Sequence, residues 1–414
     1  MPLTKGDRRN VMAQKTVAVL FGGRSVEHEV SVITGHQIMD ALKAAGYGVL
    51  PIYLTKDGEW YAGQSLHNLK LYTDPAGEPT SAVGVVRVSL SPDRSVRQLL
   101  IHPSSRQGLF RKPPQLWADV FFPCLHGSFG EDGSLQGLFE MADVPYVGAG
   151  VAASAIAMDK ALTKAICRSV GIPVLDWLIL SRGDWGQEAA GVVQRVKDSF
   201  AYPVMVKPVC LGSSIGVKRC HDGASLSEAI AAALTLDERV LIETALTDFI
   251  EINCAVMGPP DQVSVCEQPV THEAILSFDA KYKRGGKGAK QARNRGGMAS
   301  LDRLIPAPIS AELAQRVQQL ATQAFRMVGA AGTARIDFLY QADHEALYLN
   351  EINSIPGSLA FYLWEATGLP FDTLVDHLII IAVRRHEERM RTQFSFEVNL
   401  LRSKPEPPAA PVHQ

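Results

Sequence analysis

"TVAVLFGG", Thr16 to Gly23, constrains the fold more than any other stretch, because an unbroken apolar run closes there on two glycines. A helical pattern follows through "SVITGHQIMDALKAAGYGV", and then the apolar "VLPIYL". Strand, glycine turn, helix and strand in that order build an open α/β sheet. "ADVFFPCLHG" supplies another buried strand ending in a polar turn, so a first α/β domain closes near Gly150. The interval from about Lys56 to Pro114 is polar, contains proline and gives weaker signals.

A second pattern opens with "MDKALTKAICRSVGIPV", a helix with Gly171 at its end and Pro173 beyond. Strands follow at "YPVMVKP", "IGVKRC" and "RVLIETAL", with "ASLSEAIAAALTL" helical between the last two. Alternating "EINCAVMG" starts the last part. Ser310 can cap a helix whose Leu313, Val317, Leu320, Ala324, Phe325 and Val328 share one apolar face. "TARIDFLY" and "ALYLNEIN" read as paired strands, and "FDTLVDHLIIIAVRRHEER" as a closing helix.

With 414 residues, 46% of them hydrophobic, the chain can bury enough surface for two or three domains. Its net charge of -2 argues against a globally basic nucleic-acid binder. No apolar run approaches the roughly 20 residues of a membrane span, and "MPLTKGDRRN" lacks a signal peptide's apolar stretch. The expectation is a cytoplasmic protein without membrane contact. The 6 cysteines form no Cys-x-x-Cys pair, and no His-Glu-x-x-His occurs, so reduced, mostly buried thiols are expected rather than disulfides or zinc.

The chemistry concentrates in a few places. Alternation puts Arg335, Asp337 and Leu339 on one strand face and Glu351 and Asn353 on one face of the next, so antiparallel pairing brings two carboxylates and an amide together. Such oxygen ligands suit magnesium that also holds nucleotide phosphates; scattered surface acids are the alternative. In "VKPVCLGSSIGV" a lysine leaves a strand before a Gly-Ser-Ser turn, whose N–H groups and hydroxyls can wrap phosphate beside Lys207. It is not a Walker loop, and "RGGKGAKQ" fails that spacing too. "GGRSVEHEVS" and "LHGSFGEDGSLQG" place glycines, an acid and a histidine where strands of the first domain end, the ligand side of an open α/β sheet. Glu27 there can meet a substrate ammonium. His126 and His28 also admit a purely structural, hydrogen-bonded reading, favoured for His28.

Taken in order, "VAVLFGGRSVEHEVS", "LHGSFGEDGSLQG", "VPYVGAGVAASAIAMDKALTK", "VMVKPVCLGSSIGV", "GTARIDFLY" and "LNEINSIPGS" closely resemble the D-alanine-D-alanine ligases of the ATP-grasp superfamily, over roughly Val17 to His386. The resemblance implies an α/β and α+β chain with an ATP-grasp fold behind an N-terminal open α/β domain. Its expected divisions are a tail 1–15, the N-terminal substrate domain 16–150, a central subdomain 151–246, a C-terminal domain 247–393 and a proline-rich tail 394–414. The implied reaction joins two D-alanines, with ATP, through a D-alanyl phosphate, for peptidoglycan precursors. Magnesium, as two ions for which manganese can substitute, and a homodimer are implied with it.

The resemblance also assigns roles. Glu27 anchors the first substrate's ammonium and His126 positions that substrate, while Ser213 and Tyr282 complete a hydrogen-bonded chain with Glu27. Arg335 and the N–H of Gly357 stabilise the tetrahedral oxyanion, and Lys281 and Ser358 touch substrate. Glu243 reads the adenine amino group and Glu251 holds the ribose. Lys160, Lys207, Ser214 and Asn350 complete the ATP site, and Asp337, Glu351 and Asn353 are the magnesium ligands. The glycine-rich basic loop 279–300, carrying Lys281 and Tyr282, is expected to act as a lid over the site and to be disordered in a ligand-free crystal.

One departure stands out. Many relatives carry Phe-Thr after "PG" and a serine near position 362, where the second substrate's carboxylate binds; this chain reads "PGSLAFYLW". Phe361, Tyr362 and Trp364 read as core, yet they leave open D-serine, D-lactate or another amino acid as second substrate. Tyr282 favours the amide product. A third reading, from another class, makes the Arg-Gly-Gly loop an RNA contact.

Overall fold

The computed structural model describes residues 15–96, 98–102, 116–270 and 303–395. Lys281, Tyr282, the lid 279–300 and its RNA-binding alternative lie outside the described residues, as do nearly all of the two tails.

Among the described residues, three sheets organise the chain. In the first, β1 (Thr16–Gly22) pairs in parallel with β2 (Gly48–Leu54) on one side and β6 (Val120–Pro123) on the other. The weak interval contributes β3 (Trp60–Ala62), β4 (Val86–Ser89) and β5 (Leu100–Ile101), added antiparallel at one edge. Strands of two to four residues are too short for alternation to reveal.

The second sheet, β7-β10-β8-β9, joins β7 (Trp177–Ser181), β8 (Val204–Pro208), β9 (Lys218–Cys220) and β10 (Arg239–Thr244), all antiparallel. The sequence reading did not include β7, and it made β9 too long, since Gly216 turns the chain at φ +73° just before it. The third sheet runs β13-β12-β11-β14-β15: β11 (Ile250–Gly258), β12 (Gln262–Pro269), β13 (Arg303–Leu304), β14 (Gly332–Gln341) and β15 (Ala346–Asn353).

The largest core crosses the chain. Val17, Val19 and Phe21 of β1 and Ile38, Met39 and Leu42 of the helix His28–Ala44 pack with Trp364 and with Leu374, Leu378 and Ile379 of the helix Phe371–Arg389. Burial stabilises each such side chain by about 1.5–3 kcal/mol. Tyr47 Oη donates to Asp376 Oδ1 at 2.6 Å within the same contact. Ala255 and Met257 of β11 belong to the same core, which thereby ties the first part of the chain to the third sheet. Five of the six cysteines are buried and Cys210 is half-buried. Among the described residues no single helix is long and apolar enough to cross a membrane.

Candidate active site

A cavity of about 640 Å³ lies between the second and third sheets. Lys160, Lys207, Ser214, Glu243, Glu251 and Asn350 all line it, with Glu351 beside them. Leu175, Met205, Val217, Leu246 and Leu339 supply apolar walls. An apolar slot with a few convergent polar groups suits a flat heterocycle bearing a charged tail.

Local structure explains how the cations arrive. Asp159 caps the helix Lys160–Ser169, its Oδ1 accepting from the N–H groups of Ala161 and Leu162 at 2.9 Å each. Such a cap is worth about 1 kcal/mol. Lys160 and Lys164, four residues apart, then share one helix face and are both buried. The Lys160 ammonium donates to the Leu211 carbonyl at the start of the Gly-Ser-Ser turn. In that turn Ser213 and Ser214 sit at φ 54° and 58°, a left-handed conformation that marks functional turns.

Glu243, only 1% exposed, lies between two cations: Lys207 at 2.5 Å from Oε1 and Lys164 at 2.6 Å from Oε2. Burial alone would raise its pKa, but the lysines hold it down to about 2. Lys207 also donates to Asn350 Oδ1 at 3.0 Å, tying the second sheet to the third. The sequence reading did not single out Lys164, although its spacing from Lys160 was the available signal.

Glu351, which lines this cavity, is paired across the strands with Asp337. Arg335 lies opposite Asn353 and Asp337 opposite Glu351, with a bulge after Asp337, as the alternation of the two strands implies. Arg335 holds Asp337 through two bonds, Nε to Oδ1 at 2.7 Å and Nη2 to Oδ2 at 2.6 Å, and Asn353 Nδ2 donates to the same Oδ2 at 3.0 Å. Burial pushes Asp337 up to about 7 against the pull of Arg335, and Glu351 and Glu251 add to the rise. Crowded carboxylates of this kind fit a small hard dication, which would relieve their repulsion. Among the described residues no three His, Cys, Asp or Glu side chains are grouped to hold a metal. A cation here therefore needs the Asn353 amide and further oxygens, such as those of a phosphate.

Glu27, at the start of the helix His28–Ala44, accepts from Ser213 Oγ, so the first and second sheets meet at this pair. The carboxylate fits closely between glycines: a Cβ on Gly127, at φ +75°, would lie 2.9 Å from Glu27 Oε2, and one on Gly212 would lie 3.1 Å away. His28 bonds the Gly23 carbonyl (2.8 Å) and Tyr53 Oη (3.2 Å), in keeping with its structural reading. Burial pushes His126 down to about 4, so its ring is neutral at neutral pH.

Gly357 opens a turn in which Ser358, Leu359 and Ala360 are all left-handed, at φ 54°, 55° and 49°. Three consecutive non-glycine residues in that region cost roughly 1–2 kcal/mol each. Beyond it Trp364 is core, 1% exposed. Tyr362 packs against the core but also donates to Glu267 Oε1 at 3.2 Å, and Arg303 stacks on its ring at 3.7 Å. Burial pushes this phenol up to about 12. The structure thus brings together Glu27 with Ser213, Arg335 with Asp337 and Asn353, and the six cavity residues.

The family model described as the D-ala D-ala ligase N-terminus matches residues 16–149, and that for the D-ala D-ala ligase C-terminus matches residues 166–380. The chain belongs to the D-alanine-D-alanine ligase family. Among its relatives, the D-alanine-D-alanine ligase of Thermosipho africanus is 34% identical over 385 residues, covering 93% of this chain and 97% of that one. The structure of the D-alanine-D-alanine ligase from Coxiella burnetii superposes with a TM-score of 0.74 at 30% identity, over 91% of this chain and 96% of that one. The VanG D-Ala:D-Ser ligase of Enterococcus faecalis gives a TM-score of 0.72 at 28% identity, over 89% and 99% of the two chains. The mixed α/β, ATP-grasp-type architecture is common to these ligases and this chain.

Proposed function

We propose that the protein ligates two D-alanines to D-alanyl-D-alanine, with ATP going to ADP and phosphate through a D-alanyl phosphate, in the supply of peptidoglycan precursors. The observation that carries this is the convergence of six side chains from separate elements on one cavity, which Glu351, the strand partner of Asp337, also lines.

In this reading Glu243 takes the adenine amino group, Glu251 the ribose, and Lys160, Lys207 and Ser214 the phosphates. Glu27, held by Ser213, binds the first substrate's ammonium and so aims its carboxylate at the terminal phosphate. The second amine then attacks the acyl phosphate, and Arg335 with the Gly357 N–H receives the negative charge that develops on oxygen. Removing one such donor raises a barrier by about 2.7–4 kcal/mol. Asp337, Glu351 and Asn353 would hold magnesium, which when bound offsets phosphate charge and polarises the transferred group. Domains divided at 16–150, 151–246 and 247–393, a cytoplasmic setting and a homodimer belong to the same reading, supported by the family resemblance.

A second reading keeps this chemistry and changes the second substrate. It is favoured by Tyr362, which fills a position where many relatives carry serine and engages Glu267 and Arg303. Phosphate release measured with D-alanine alone, and with D-alanine paired to L-alanine, D-serine or D-lactate, separates the two. Dipeptide formation without preference for D-alanine as second substrate would overturn the first reading.

A further inference from the structure

The turn that presents Gly357 is held from outside its own sheet. Ile355 N–H donates to Glu131 Oε1 at 3.1 Å, and Ser358 N–H donates to Thr34 Oγ1 at 3.3 Å. Both acceptors belong to the N-terminal α/β unit, 224 and 324 residues away in sequence. Thr34 Oγ1 also pairs with His126 Nε2 at 2.9 Å. His126 Nδ1 lies 3.9 Å from Glu131 Oε2. His126 is 4% exposed.

The platform behind these contacts is stiff. Glu131 Oε2 accepts the Gly127 N–H at 2.8 Å, Asp132 accepts from Phe129 N–H at 2.8 Å and Ser134 N–H at 2.9 Å, and Gln136 Nε2 donates to the Gly130 carbonyl at 2.7 Å. Against it rests a turn whose three left-handed residues need an external hold to persist. Pro356 and Gly357 lie between the two anchored N–H groups, so the anchors fix the direction of the Gly357 N–H.

We propose that Thr34, His126 and Glu131 form a positioning clamp for the Gly357 turn. The inference rests on the reading of Gly357 as an oxyanion donor. With Nε2 of the His126 ring unprotonated, it accepts the Thr34 hydroxyl proton, leaving the Thr34 oxygen to accept from Ser358.

The test is steady-state kinetics of the full-length protein with D-alanine and ATP, alongside direct titration of ATP affinity. Thr34→Val keeps the side-chain shape and deletes the relay; a displaced donor is expected to lower kcat by about 10²-fold. ATP affinity and the KM for the first D-alanine stay within about twofold of the parent on this mechanism, and Thr34→Ser recovers most of the activity. Should Thr34→Val fail to fold, Glu131→Gln carries the same expectation, since an amide cannot accept both N–H groups. An active parent with Thr34→Val or Glu131→Gln at parental kcat, or with a loss confined to the KM for the first D-alanine, overturns the clamp. A parent that forms no dipeptide overturns the functional reading beneath it.

Discussion

Replacing Lys164 with methionine removes one of the two cations that neutralise Glu243 while keeping most of the buried side-chain volume. The fall of Glu243 from 4.5 to about 2, achieved against burial, corresponds to about 3 kcal/mol of preference for the charged form. Shared between Lys207 and Lys164, this gives Lys164 about 1–2 kcal/mol. A carboxylate left under-compensated in the interior can cost as much as about 3–5 kcal/mol, so a destabilisation between these limits is expected. Because the folded pKa is depressed, this stabilisation is present in full above pH 4.5 and is lost as pH falls toward 2. Above pH 4.5 the contribution of Glu243 to the parent's stability is therefore constant. The assay is urea unfolding of the parent, Lys164→Met, Glu243→Gln and the double variant. Coupling of at least about 1 kcal/mol is expected, with the double variant less damaged than the sum of its parts. Strict additivity would refute the argument. With Lys164 gone, Lys207 becomes the only partner of Glu243 and is held more firmly there, so the KM for ATP rises as well.

Ser213→Ala removes the hydroxyl donated to Glu27; a hydrogen bond to a charged group is worth about 1.5–3 kcal/mol, so kcat/KM for the first D-alanine should fall by about 10- to 100-fold, and an unchanged value would refute the Glu27 assignment. Arg335→Lys keeps the charge but loses the paired geometry with Asp337, and kcat is expected to drop by 10²-fold or more in a coupled ADP assay. Chelation with EDTA should abolish turnover and added magnesium restore it; in Asp337→Asn the same titration should require more magnesium, and a parental response would count against Asp337 as a ligand.

Much of this was legible from the residues alone. The carboxylate strands were readable because period-two alternation fixes which side chains share a face, and the bulge falls after Asp337, beyond the pairs that matter. The two glycines closing β1 and the cap at Ser310 are local signals, and local signals survive in sequence. Glu131 and Thr34 were not singled out, because their roles depend on partners, Ile355 and Ser358, that only tertiary packing brings near. The left-handed run at Ser358–Ala360 was equally silent: nothing in Ser-Leu-Ala marks that conformation when the hold on it comes from another part of the chain.

The bonds joining Glu131 to Ile355, Thr34 to Ser358 and Tyr47 to Asp376 close loops of 224, 324 and 329 residues. Each loop must lose its freedom before its bond can form, so these contacts close late, after the individual sheets have been built. A chain leaving the ribosome can complete its first sheet early, but its Gly357 turn is not held in place until the later part of the chain has emerged and docked. Enzyme activity in this molecule therefore reports completed assembly, and a truncated translation product that has folded its first half remains catalytically silent.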